Sequence, residues 1–136
     1  MIRPLALLLA ALVVAACDPR LVHTSNLTPR EVQTLAGTWQ GDSKMSFGEE
    51  NCPRVYLWTM KVAQGSAEGS LVDEKTPNAP ATIFKTFVDY DGTLNAFARP
   101  GGRDTNIRGA FNRDNFTGEA KSERCAYLIR LRRTGP

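Results

Sequence analysis

The sequence predicts a mainly β fold: an eight-stranded antiparallel up-and-down barrel, or a closely related sandwich, with one short N-terminal helix. From Thr38 onward, apolar and polar residues alternate with a period of two, as they do in strands that bury one face. Turn-forming residues separate these alternating runs at short, regular intervals, which is typical of a meander. Closure into a barrel would remove the edge strands that otherwise invite aggregation.

The first residues predict export. Arg3 precedes an uncharged apolar run from Leu5 to Ala16, which is shorter than the roughly 20 residues of a transmembrane helix and fits the apolar region of a signal peptide. The run ends in Val14-Ala15-Ala16-Cys17, which resembles the lipobox of bacterial lipoproteins. The resemblance implies cleavage before Cys17, acylation of its sulfur and amine, and a lipid anchor in a membrane of the cell envelope, facing the periplasm.

The alternative is an ordinary secretory cut after Ala16, because Val14 and Ala16 also satisfy the small-residue rule. That cut would leave three cysteines in an exported domain, an odd number, whereas lipidation of Cys17 leaves two that can pair. Asp18 resembles the inner-membrane retention signal of enteric bacteria, a rule that does not transfer to all bacteria. The choice between inner and outer membrane therefore stays open.

Three segments follow from this interpretation: a signal peptide at residues 1–16, a tether at 17–27 and a barrel domain at 28–136. The tether is polar and lacks periodicity, as expected for a spacer that holds a domain off the bilayer. It contains His23, the only histidine, which has no partner there for metal binding or catalysis.

A compact start signal predicts the helix at residues 29–36. Thr28 can cap it, Pro29 suits the first helical position, Glu31 can close a capping box, and Gly37 offers a stop. Asp91-Gly92, between two apolar runs, predicts a hairpin. The strands are predicted at 38–47, 54–64, 69–73, 82–89, 93–99, 106–112, 116–122 and 125–133, and the second of them carries apolar residues on both faces at one end, which indicates burial on both sides there.

Gly37-Thr38-Trp39, directly after the short helix, resembles the opening of calycin-type barrels, which include lipocalins, avidins and small bacterial protease-inhibitor lipoproteins. The resemblance covers these residues and the strand count. It implies that Trp39 packs across one end of a barrel and closes it.

With Cys17 lipidated, Cys52 and Cys125 are the remaining pair in an oxidising compartment. In an up-and-down meander, the loop between strands one and two lies at the same end as the turn between strands seven and eight. Cys52 falls in the first and Cys125 directly after the second. If strands one and eight pair, the two cysteines meet at one rim, so the sequence predicts a disulfide; two independent buried thiols are the alternative.

The composition predicts a domain that is not an enzyme and binds no cofactor, metal or nucleic acid. The net charge is +3, and the nearest thing to a basic cluster is Arg124, Arg130, Arg132 and Arg133, which we interpret as a solvated strand edge rather than a phosphate or lipid site. The carboxylates fall mostly in predicted turns, and no histidine accompanies a nucleophile in the domain.

Three functions remain open. The domain is a binding or inhibitory module for an envelope protein, a carrier of a small apolar ligand, or a structural lipoprotein with no discrete ligand. Trp39 and Trp58 are candidates for closing the barrel or lining a ligand site. The full set of aromatic residues that would line or fill the interior is Trp39, Tyr56, Trp58, Phe84, Phe87, Phe97, Phe111 and Tyr127. A cavity above roughly 300 Å³ would favour the carrier, and a filled core would favour protein interaction.

Overall fold

The computed structural model describes Ser25 and residues 27–136. The predicted signal peptide, Cys17, His23 and most of the tether lie outside these residues. In the described part, a helix α1 (Pro29–Val32) and a 3₁₀ turn (Gln33–Leu35) precede eight strands. The strands are β1 (Gly37–Gly48), β2 (Val55–Ala63), β3 (Ser66–Asp73), β4 (Thr82–Phe87), β5 (Thr93–Ala98), β6 (Thr105–Asn112), β7 (Asn115–Lys121) and β8 (Cys125–Gly135).

The predicted helix start is confirmed, although the α-helix itself is shorter than predicted. The Glu31 backbone N–H donates to Thr28 Oγ1 at 3.3 Å, and the Thr28 N–H donates to Glu31 Oε1 at 3.2 Å, which completes the capping box. The helix then tightens into the 3₁₀ turn at Gln33. The tighter turn buries Leu35, whose carbonyl accepts a hydrogen bond from Trp39 Nε1 at 3.1 Å.

The strands form one antiparallel sheet in the order β4-β3-β2-β1-β8-β7-β6-β5. β1 pairs with β8 from Thr38–Gly135 to Gly48–Cys125, so the predicted up-and-down barrel and its pairing of first and last strands are confirmed. The barrel has two distinct ends. The helix, the C-terminus and the turns β2–β3, β4–β5 and β6–β7 lie at what we call the closed end, and Cys52 and Cys125 lie at the opposite, disulfide end.

Closure is incomplete at one place, between β4 and β5. These strands are consecutive in the chain, but their pairing is limited to the single bridge Val88–Leu94 and a hydrogen bond from Thr86 Oγ1 to the Asn95 carbonyl. The turn predicted at Asp91-Gly92 is present, with the Gly92 N–H donating to the Asp89 carbonyl. The predicted hairpin, however, does not continue into a paired ladder, and we call the resulting opening the seam.

The strand boundaries agree with the prediction to within a few residues, and two details differ. β3 begins at Ser66 rather than at residue 69, because its first residues pair with the end of β2 directly after the Gln64-Gly65 turn. The expectation that β2 is buried on both faces was wrong. Its inner face is buried, whereas Leu57 on the outer face is 39% exposed.

Candidate interaction surface

The barrel interior is filled by packed side chains. Aromatic rings meet edge to face at several levels: Trp39 on Phe111 with ring centroids 4.9 Å apart, and Trp58 on Phe84 at 5.8 Å. Such ring contacts stabilise the core beyond the contribution from burying the apolar area of the rings. Of the eight aromatics predicted for the interior, six are buried there, and Phe116, which the prediction left out, is buried as well.

The other two predicted interior aromatics were placed wrongly. Phe87 is 77% exposed and Phe97 is 53% exposed, because both point outward from the strands that flank the seam. The sequence contained a signal for this. Ile83 and Phe84 are adjacent in one strand, and since successive strand residues face opposite sides, burial of Phe84 forces Ile83 and Phe87 outward.

Trp58 lies in the middle of the barrel. Its side chain is 3% exposed, and its Nε1–H donates to Ser43 Oγ at 2.8 Å, which satisfies two buried polar groups at once. Gly41 pairs with Trp58 across β1 and β2, and a Cβ at Gly41 would collide with the Arg130 carbonyl of β8. Trp58 therefore belongs to the packed core.

The disulfide end is held by a covalent bridge and a pair of tyrosines. Cys52 and Cys125 are bonded, with their Cα atoms 6.0 Å apart. Beside them the Tyr127 hydroxyl donates to the Pro53 carbonyl at 2.6 Å, and the Tyr56 and Tyr127 rings meet at 5.0 Å. The predicted pairing of the cysteines at one rim is confirmed.

Burial at this end should make the protein sensitive to alkali. Burial raises the pKa of Tyr56, and burial together with the neighbouring Tyr56 raises the pKa of Tyr127 well above its ordinary value. The unfolded chain then loses its phenol protons first, so this contribution to stability is present below about pH 10 and is lost as the pH rises above it. We expect the urea midpoint to fall more steeply above about pH 10 in Tyr90→Phe, which keeps both buried phenols, than in Tyr127→Phe. Equal slopes in the two variants would contradict this assignment.

The closed end is organised by Trp39 and Arg133. Trp39 is fully buried, and the Arg133 guanidinium lies 4.9 Å from the centroid of its ring. Arg133 Nη1 donates to the Thr34 carbonyl at 2.8 Å, and Nη2 donates to the Arg113 carbonyl at 3.4 Å. Arg133 Nε has no hydrogen-bond partner, and the Asp114 carboxylate lies 3.6 Å from it. The cation thus joins the 3₁₀ turn, the β6–β7 turn and the indole.

The predicted arginine cluster is not a strand edge. β8 lies between β1 and β7 and pairs with both along its length. Arg130 and Arg132 lie on its exposed outer face, whereas Arg133 holds the closed end and Arg124 forms an exposed ion pair with Glu49 at 3.6 Å. Protection of an edge therefore does not account for Arg130 and Arg132.

The seam carries an exposed apolar surface, which we call the seam patch: Ile83, Phe87 and Phe97. Ile83 is 61% exposed, and all three side chains point outward from β4 or β5. The edges of β4 and β5 that face each other form no ladder beyond the Val88–Leu94 bridge. Unpaired strand edges beside apolar side chains are a common template for strand addition. This is the strongest candidate site in the described chain.

Within Ser25 and residues 27–136, no group of three or more histidine, cysteine or acidic side chains is arranged to hold a metal ion. The same part of the chain contains no helix long and apolar enough to cross a bilayer. No family model matches the chain, and a search of curated proteins finds no similar sequence.

Proposed function

We propose that this chain is an envelope lipoprotein, anchored through lipid on Cys17 and facing the periplasm, whose barrel is a non-enzymatic module that binds a partner protein along the seam. The observation that carries the proposal is the seam itself. Two strand edges without a ladder partner and the seam patch lie side by side on an otherwise paired barrel. The choice between inner and outer membrane is left open in this proposal.

The filled interior favours a protein partner over carriage of a small apolar ligand. The aromatic rings that would line a ligand cavity pack against each other instead, as in small barrels whose side chains fill the core. An apolar ligand would have to displace rings that already contribute to stability. A structural lipoprotein with no discrete partner would not need an exposed seam patch, which costs solubility.

The chemistry of the seam favours, as the partner, an extended segment that adds a strand to β4. Such a strand would pair with the free edge of β4 through main-chain hydrogen bonds and cover the seam patch with alternate apolar side chains. Lys85 lies outward between Ile83 and Phe87, at the centre of this surface. An acidic residue opposite Lys85 would complement it, as Glu68 does on β3, where the two charged atoms are 3.8 Å apart.

Lys85 also argues against pairing with a second copy of the chain. An antiparallel β4–β4 pair centred so that Ile83 of each copy meets Phe87 of the other would place Lys85 opposite Lys85. Like charges directly opposite each other destabilise a strand pair.

An inhibitor is the special case in which the partner is a secreted protease. The domain would then block that protease stoichiometrically.

The seam is tested by adding a probe peptide to the protein and measuring shifts of the protein's backbone amides by NMR. The probe is an extended peptide of about ten residues with alternating valines and a central glutamate, and a matched peptide carries a central lysine. We expect the glutamate peptide to shift amides of β4 and β5 and to bind up to about fivefold more tightly than the lysine peptide, since one cross-strand charge pair contributes up to about 1 kcal/mol. Phe87→Asp should abolish the shifts.

Phe47→Asp is the matched control for that variant. Phe47 is 71% exposed, close to the value for Phe87, but it lies on β1 at the disulfide end, away from the seam. Its replacement should leave peptide binding unchanged, and the unfolding midpoints of both variants should stay near that of the parent. Shifts spread over the whole barrel, or equal losses in both variants, would reject the seam as the docking site.

The anchor is tested by Cys17→Ser. Without the thiol there is no acceptor for lipid, so the variant should move from the membrane fraction to the soluble periplasmic fraction, and mass spectrometry of the parent should find Cys17 as an acylated N-terminus. Ser25→Ala serves as the control and should stay with the membrane. A Cys17→Ser protein that remains membrane-bound would contradict lipid anchoring.

A further inference from the structure

A groove of about 590 Å³ runs along the outer wall of the barrel over β1, β8 and β7. Side chains that point outward from the three strands line its sides, and the backbone of these strands forms its floor. Three of these side chains are cationic, Lys44, Arg130 and Arg132, and one is acidic, Asp42. The groove is therefore a concave, basic surface distinct from the seam.

The three cations lie in a row along the groove, with Arg130 between Lys44 and Arg132. Arg130 pairs across the strands with Asp42, and Lys44 pairs with Leu128, so Lys44 and Arg130 are diagonal neighbours about 7–8 Å apart. Arg132 lies two residues beyond Arg130 on the same face, at about 7 Å. None of the three forms an ion pair with another residue in the part of the chain that the structure describes. A row of cations without ion-pair partners among the described residues suits a surface that carries phosphate groups.

The groove lies on the half of the barrel next to the closed end, where the chain enters the domain. Ser25 Oγ donates to the Phe111 carbonyl and lies beside Gly92 in the turn between β4 and β5, which fixes the last part of the predicted tether against that end on the side of the seam. Ser25 is eight positions after Cys17, so the lipid is attached at most about 29 Å away. A lipid surface would thus lie within reach of the groove.

We propose that the groove over β1, β8 and β7 binds the phosphate of an anionic lipid headgroup and holds this wall of the barrel against the bilayer. The proposal rests on the proposed anchor at Cys17. It also orients the seam. β4 and β5 lie on the opposite side of the barrel from β1 and β8, with two strands between them on each side. A barrel held by the groove therefore presents the seam patch away from the membrane, towards a partner.

The test uses the chain from residue 17 onward with Cys17→Ser, so that binding does not depend on acylation. Flotation with vesicles of phosphatidylcholine plus phosphatidylglycerol should recover the protein, and vesicles of phosphatidylcholine alone should not. The groove variant Lys44→Gln/Arg130→Gln/Arg132→Gln should bind the anionic vesicles at least about tenfold more weakly, since each basic residue near an anionic surface contributes about fivefold.

The matched control is Lys75→Gln/Arg108→Gln/Lys121→Gln, which removes the same charge from exposed positions outside the groove. It should change vesicle binding less than about twofold. Equal losses in both variants would mean diffuse attraction of a basic protein and would overturn the proposal. All six side chains are exposed, and circular dichroism checks that both variants are folded.

A second arm distinguishes a headgroup from free phosphate. Inorganic phosphate alone should shift the amides of the groove strands only weakly and should compete with vesicle binding at high concentration. Tight binding of free phosphate without recruitment to anionic vesicles would assign the groove to a soluble ligand and overturn the membrane role. Because the acylated N-terminus is measured separately, failure of the groove is distinguishable from failure of the anchor.

Discussion

Removal of the Cys52–Cys125 disulfide should lower the free energy of unfolding by about 4 kcal/mol. The two cysteines are 73 residues apart in sequence, and the chain-entropy model assigns a loss of this size to a loop of that length. For a small domain with a total stability of about 5–15 kcal/mol, the bridge is a major contribution. The measurement is urea denaturation of Cys52→Ala/Cys125→Ala and its parent, both in a Cys17→Ser background so that no other thiol is present.

The same parent treated with reductant is the control, and it should unfold at the midpoint of the double variant. Thiol titration before reduction should detect no free thiol. A loss below about 1 kcal/mol would mean that pairing of β1 with β8 already confines the reduced chain, so that the bridge adds little constraint. That result would contradict the loop-entropy account.

The disulfide also shows how far the sequence alone could predict this fold. An even number of strands in a meander puts the β1–β2 loop and the β7–β8 turn at one end, and this parity needs only the strand count. Period-two alternation supplied that count, because each strand buries one face. The helix start was equally local, since Thr28 and Glu31 satisfy each other within one turn.

The candidate sites could not be predicted in the same way, because they depend on where the sheet ends and curves. Asp91-Gly92 predicts a turn, but the extent of pairing beyond it depends on how eight strands close, which no local pattern encodes. The sequence placed Arg130 and Arg132 in the last strand, and we interpreted them as charges at the edge of the sheet. That interpretation was wrong because β8 lies between β1 and β7 and pairs with both. Phe87 and Phe97 were assigned to the interior because they are aromatic, although burial of Phe84 in the same strand already puts Phe87 on the outer face.

Trp39→Ala should lower the free energy of unfolding by about 3–5 kcal/mol and release the helix from the barrel. Trp39 is fully buried, packs against Phe111, accepts the Arg133 cation on its face and donates to the Leu35 carbonyl. Its removal leaves a cavity at the closed end and takes away a partner of the 3₁₀ turn. Urea denaturation measures the loss, and hydrogen exchange of residues 29–36 follows the helix.

Two further variants separate the contributions at this end. Trp39→Phe keeps a ring for Phe111 and Arg133 but leaves the buried Leu35 carbonyl without its donor, so about 1–3 kcal/mol should be lost. Arg133→Lys keeps the charge but loses the planar group that reaches the Thr34 and Arg113 carbonyls together. It should therefore speed hydrogen exchange in the helix. Arg132→Lys, on the outer face, is the control and should leave that exchange unchanged. If Trp39→Ala destabilised the barrel but left exchange at 29–36 unchanged, the indole would act only as core. The helix would then be held by Arg133 and by the packing of Leu27 and Val32.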